Sequence, residues 1–71
     1  MTSDDYGTRQ WFDAKGLLHR RNGPAIECPD GSKHWWVHGR LHRASGPAID
    51  NASGYQRWFE QGKFVRREDP I

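Results

Sequence analysis

The sequence predicts an all-β fold: an antiparallel meander of tandem β-hairpins in a single small domain. Three observations predict it. A fixed period of 23 residues spaces Gly16, Gly39 and Gly62, then Leu18, Leu41 and Phe64, then Arg20, Arg43 and Arg66, then Pro24, Pro47 and Pro70. Turn glycines recur so often that no segment has room for a helix of ordinary length. Adjacent aromatic residues, Trp11-Phe12, Trp35-Trp36 and Trp58-Phe59, mark each copy at the same place and favour a pleated surface. A repeat of this length is one supersecondary unit stacked on copies of itself, so the chain is expected to present a surface rather than enclose a cleft.

Residues 1–6 read as a flexible polar N-terminus, and 7–71 as the repeat domain of two and a half to three copies. Each copy opens with a turn and strand: Gly7 to Phe12, Gly31 to Trp36 and Gly54 to Phe59. A second turn follows at Ala14-Lys15-Gly16, His38-Gly39 and Gln61-Gly62, with one extra residue in the first copy. A short strand comes next: Leu17-Leu18-His19, Arg40-Leu41-His42 and Lys63-Phe64-Val65. A polar loop then reaches Gly23-Pro24-Ala25-Ile26-Glu27, repeated as Gly46-Pro47-Ala48-Ile49-Asp50. Pro24 and Pro47 lack an N–H and are expected to open a strand or lie at an edge. The third copy reaches Ile71 where Ala25 and Ala48 stand in the others.

Composition sets limits on this domain. Seventy-one residues with 34% apolar content and a mean hydropathy of −1.05 make a lean core. Cys28 is the single cysteine, so no disulfide forms within the chain, and a lone thiol without a signal-like N-terminus fits the cytoplasm. No apolar run reaches membrane-spanning length. Eleven Lys and Arg stand against nine Asp and Glu, interspersed along the sequence, which argues only weakly for nucleic acid. Arginine supplies eight of the eleven cations, and its fork suits carboxylates and aromatic faces as well as phosphates.

Successive strand residues point to opposite faces, so Trp11, Trp35 and Trp58 are expected to form one ladder and Phe12, Trp36 and Phe59 another on the reverse side. One ladder is expected to be core and the other partly exposed as an interaction surface. Leu18, Leu41, Phe64, Ile26 and Ile49 are expected to share the buried face. Arg20, Arg43 and Arg66 recur in register; each either pairs with a repeated acid or a tryptophan, or meets a partner directly. Arg21 and Arg67 face Ala44 at the corresponding place in the middle copy, and positions that vary between copies are the better carriers of specificity. The candidate partner-binding set is therefore both aromatic ladders with Arg20, Arg21, Arg43, Arg66 and Arg67, since aromatics and arginine dominate interface hot spots.

His34, His38 and His42 lie at intervals of four across a hairpin, with His19 equivalent to His42. Only the middle copy carries the set, and a zinc site needs three or four converging ligands, so scaffolding is the expected role and no metal or cofactor is expected. Cys28 corresponds to Asn51 and reads as a tolerant turn position, and the glycines form no phosphate loop leading into a helix. Catalysis has no positive support.

The unit Trp36-x-x-Gly39-x-x-His42 resembles the heart of the MORN repeat, which has a period near 23 and one hairpin per copy. The match extends to Phe59-x-x-Gly62 and, across the one-residue insertion, from Phe12 through Gly16 to His19. MORN repeats usually continue with Gly-x-Gly, whereas this chain continues His42-Arg43-Ala44-Ser45-Gly46-Pro47-Ala48. That string looks like a divergent set of repeats, of the form Asn-Gly-Lys-Leu-His-Arg-x-x-Gly-Pro-Ala, found in phage, giant-virus and bacterial proteins. The resemblance implies a hairpin-repeat fold and a non-enzymatic binding role. Together with the small size, it points to a phage or mobile-element protein that binds and inhibits a host protein, such as a CRISPR-type defence complex, in the host cytoplasm. Two alternatives stand beside it: a sheet that stacks single-stranded nucleic acid, and a self-associating structural repeat, with a homodimer as its simplest form. No membrane role is expected.

Overall fold

A computed structural model describes residues 2–3 and 7–70. Among them there is no helix. The strands, in chain order, are β1 (Thr2–Ser3), β2 (Arg9–Gln10), β3 (Ile26–Glu27), β4 (Lys33–His34), β5 (Trp36–Val37), β6 (Arg40–Leu41), β7 (Ile49–Asp50), β8 (Gln56–Glu60) and β9 (Lys63–Glu68). Seven of them form one antiparallel sheet in the order β1-β2-β3-β4-β7-β8-β9, and β5 pairs with β6. This is the expected all-β meander of hairpins. Of the N-terminal segment read as flexible, Met1 and residues 4–6 lie outside the described residues, and Thr2–Ser3 pair with Gln10 and Arg9.

The repeat explains the topology. The Phe12–Leu18, Trp36–Leu41 and Phe59–Phe64 pairs close one hairpin per copy. Neighbouring hairpins then join through backbone bonds: Gly39 N–H donates to the Leu18 carbonyl at 2.8 Å, and Gly62 N–H to the Leu41 carbonyl at 2.8 Å. Arg20 N–H donates to Trp36 and Arg43 N–H to Phe59 at the same two junctions.

The one-residue insertion in the first copy is a change of turn type. His38-Gly39 and Gln61-Gly62 have positive φ at both residues (48° and 80°, 53° and 81°), the two-residue turn whose twist matches a hairpin. In the first copy, Gly16 N–H instead donates to the Asp13 carbonyl and Asp13 N–H to Leu17, which needs a longer loop with Gly16 at φ 83°. The Cys28–Ser32 and Asn51–Tyr55 turns repeat this longer pattern. Ser32 is buried, and its Oγ accepts the Ala52 N–H at 2.9 Å, tying one of these turns to the next.

Two cross-strand rows organise the first sheet. Arg9, Glu27, Lys33, Asp50, Gln56 and Glu68 lie side by side, mostly alternating in sign, as opposite charges across strands favour. On the same side the register continues as Trp11, Ala25, Trp35, Ala48 and Trp58, anchored by Trp11 N–H to Ala25 at 2.9 Å and Trp35 N–H to Ala48 at 2.7 Å. Ala25 and Ala48, set between indoles, are wholly buried, and Pro24 and Pro47 beside them are also buried.

Here the structure departs from expectation. The buried apolar core consists of the two alanines, while Leu18, Leu41, Ile26 and Ile49 are only half-buried and Phe64 is 57% exposed. The reason is thickness: the domain measures 36 × 27 × 16 Å, so only a small side chain between two large ones escapes solvent on all sides.

Candidate functional site

Each tryptophan of the first ladder carries an arginine of its own copy. The Arg20, Arg43 and Arg66 guanidiniums lie 3.8, 3.7 and 4.1 Å from the ring centroids of Trp11, Trp35 and Trp58. In the first two copies the Gly-Pro loop closes over the arginine. Arg20 Nη1 donates to the Pro24 carbonyl and Arg43 Nη1 to the Pro47 carbonyl, both at 3.2 Å. Glycine leaves room for the guanidinium at that loop: a Cβ on Gly23 or Gly46 would stand 3.1 or 2.9 Å from the guanidinium carbon beneath it, so the arginine would have to shift. Arg20 also meets Glu27 at 3.4 Å. Arg20 and Arg43 are thus held by tryptophan and by proline carbonyls, and Arg66 by tryptophan and Glu68.

Two grooves open on this side and share Val37 as a wall. One, of about 520 Å³, runs between the loops at 20–23 and 43–45, lined by Arg20, Arg21, His42 and Arg43 over Trp35. The other, of about 580 Å³, lies at the hairpin turns, lined by Asp13, Lys15, Leu17, His38 and Arg40. Together they gather five Lys and Arg and one carboxylate, a formal +4 against +2 for the whole chain. The interspersed charge of the sequence is therefore segregated by folding. Sequence reading missed Lys15 and Arg40 because the residues that meet here come from different copies.

Histidines dock one hairpin on the next. His19 Nδ1 accepts the His38 N–H, and His42 Nδ1 accepts the Gln61 N–H, each at 3.1 Å. An accepting Nδ1 places the proton of the neutral ring on Nε2. The third copy has Val65 at this place. The His38 ring stacks on His19 at 4.2 Å, and its Nδ1 lies 2.9 Å from Asp13 Oδ2. Asp13 is held down at about 2, first by His38, then by the Leu17 N–H, with the Lys15 N–H adding to it. Burial lowers the His34 pKa. His34, His38 and His42 do not converge: His38 turns to the first copy and His42 to the third. Among the described residues no group of three or more His, Cys, Asp or Glu side chains is placed to hold a metal. The signal for the docking role was present in the sequence as the equivalence of His19 and His42.

The second ladder lies on the hairpins. Phe12 is 40% exposed, Trp36 and Phe59 are half-buried, and Phe59 meets Phe64 edge-on at 5.6 Å. The Trp36 Nε1 is buried without an acceptor among the described residues. Arg21 is exposed beside the first groove. Arg67 is exposed on β9 and meets Asp69 at 3.7 Å, while Arg66 meets Glu68 at 3.1 Å.

No protein-family model, curated protein or solved structure matches the chain.

Proposed function

We propose that this chain is a non-enzymatic protein-binding module that works through its arginine-lined face. The observation that carries the reading is the pinning of Arg20 and Arg43 between an indole and a Gly-Pro loop, in the same pose, around an open groove. Arginines already ordered lose little side-chain entropy on binding, which favours tight and specific contact. Leu17, 44% exposed in the groove wall beside Val37, adds apolar contact area. The partner class follows from the likeness of the Gly-Pro-Ala repeats to those of phage and viral proteins: a host protein inhibited by binding, a CRISPR-type defence complex among the candidates, met in the host cytoplasm.

The test is affinity capture from a nuclease-treated bacterial lysate, comparing wild type with Arg21→Ala. A nuclease-resistant protein captured by wild type and lost with the variant supports the reading; capture that disappears on nuclease treatment contradicts it.

A second reading, self-association, is favoured by β9. Among the described residues it is paired with β8 alone, and Phe64 and Val65 on it are 57% and 52% exposed. A long exposed edge of this kind is a ready pairing surface. Sedimentation at rising concentration decides it.

A further inference from the structure

We infer that the two joined grooves receive one extended peptide segment in which acidic and apolar residues alternate. The inference rests on the reading of the chain as a binding module and names the chemistry of what it binds.

Charge points to the ligand. Five arginines (Arg9, Arg20, Arg57, Arg66 and Arg67) have a carboxylate within ion-pair distance. Six cations have none among the described residues, and four of those six, Lys15, Arg21, Arg40 and Arg43, line these grooves. Unpaired cations gathered on one face attract carboxylates or phosphates.

Three features favour a peptide over nucleic acid. Stacking of single-stranded bases needs open aromatic faces beside the cations, and the tryptophans on this side each already carry a guanidinium at 3.7–4.1 Å. The wall between the cations is apolar, made by Val37 and by Leu17, which is 44% exposed; a phosphate chain has no use for it, whereas leucine or isoleucine side chains do. Finally, Asp13 stands in the groove with its pKa held at about 2, so it is anionic at any ordinary pH. Its charge opposes a backbone with a phosphate at every step, whereas an alternating segment can set an apolar residue beside it. Residues that alternate along an extended segment face opposite ways, so carboxylates reach the loop arginines while apolar side chains lie against Val37 and Leu17.

The probe is a fluorescein-labelled octapeptide alternating glutamate and leucine, titrated by anisotropy. An octapeptide alternating glutamate and serine and a twelve-nucleotide oligothymidine are titrated in parallel. The glutamate–leucine peptide is expected to bind at least about tenfold more tightly than either. Arg21→Glu, at an exposed groove position, is expected to weaken it about tenfold or more. Lys33→Glu makes the same change in net charge at an exposed residue that lines neither groove and has no ion pair among the described residues, and is expected to change affinity less than about twofold. Tighter binding of oligothymidine, equal weakening by both charge reversals, or no peptide binding each overturns the inference. If lysate capture still yields a nuclease-resistant protein that Arg21→Ala retains or that the octapeptide does not displace, the module binds through another surface and this groove assignment alone fails.

Discussion

Arg20 and Arg66 stack on tryptophans in the same way, yet 30% of one side chain is exposed and 56% of the other. The difference lies in the loop that follows. In the first copy Gly23-Pro24 folds back and the proline carbonyl receives the guanidinium. In the third, Asp69 stands at the glycine position and instead pairs with Arg57 at 2.9 Å and with Arg67. The hairpins differ likewise. The middle one is bonded on both sides, through Gly39 to Leu18 and through Leu41 to Gly62. The third presents β9, every residue of which is exposed, with Val65 in place of a docking histidine. Burial and side-chain order in this protein come from the neighbouring copy and from the lid, not from the hairpin alone. That is how stacked repeats distribute stability.

Substitutions that separate the middle copy from the last sharpen this comparison. Trp35→Ala removes the indole between Ala25 and Ala48 and is expected to cost about 3 kcal/mol in urea unfolding, near the whole stability of so small a domain. Trp58→Ala, at the open end, is expected to cost about half as much. Gly46→Ala sets a methyl 2.9 Å from the Arg43 guanidinium carbon. It displaces the arginine from Trp35 and is expected to cost about 1–2 kcal/mol by the same measurement. His42→Ala deletes the acceptor for the Gln61 N–H and is expected to cost about 1 kcal/mol, whereas Val65→His stays within about 0.5 kcal/mol. Trp36→Phe is the mildest change, within about 1 kcal/mol of neutral, because it removes a buried donor that has no acceptor among the described residues. The other two copies already carry phenylalanine there, at Phe12 and Phe59.

The response to acid follows from three titrating groups with displaced values: His34, Asp13 and Asp30, the last held below its ordinary value by the Ser32 N–H it accepts. Burial lowers His34 below its ordinary 6.5, so the unfolded chain takes up that proton first. The stability it confers is full above pH 6.5 and falls as pH drops below 6.5 toward the lowered value. Asp13, depressed from 3.8 to about 2, adds stability that is full above pH 3.8 and is lost only as pH falls toward 2. Thermal melts are therefore expected to show two separate losses on acidification, with His34→Gln removing the first and Asp13→Asn together with Asp30→Asn the second.

Much of the fold was legible because the period is strict. Glycines and aromatic pairs recurring every 23 residues, or 24 across the insertion, marked the hairpins and the antiparallel pairing. The two aromatic ladders followed from strand alternation. The core was not legible. Ala25 and Ala48 are wholly buried because large neighbours flank them in register, and hydropathy gives alanine little weight. The grooves were less legible still. Lys15, Arg21, Arg40 and Arg43 come together only when the first and second copies stack, while along the chain Glu27 and Asp30 stand between Arg21 and Arg40. The pairing of arginine with tryptophan was one of two readings the repeat allowed. What the sequence did not show was the proline carbonyl that fixes the pose.

A preformed binding face requires Arg20 and Arg43 to be held still before anything binds. NMR relaxation of the arginine Nε–H groups measures this directly. The lidded Arg20 and Arg43 are expected to be nearly as rigid as the backbone, with side-chain protons shifted upfield by the indoles. Arg66, which lacks the lid, is expected to be more mobile, and the exposed Arg21 the most mobile of the four. Equal mobility for Arg43, Arg66 and Arg21, with no ring-current shift on Arg43, would contradict the claim that the repeat builds a preformed binding face.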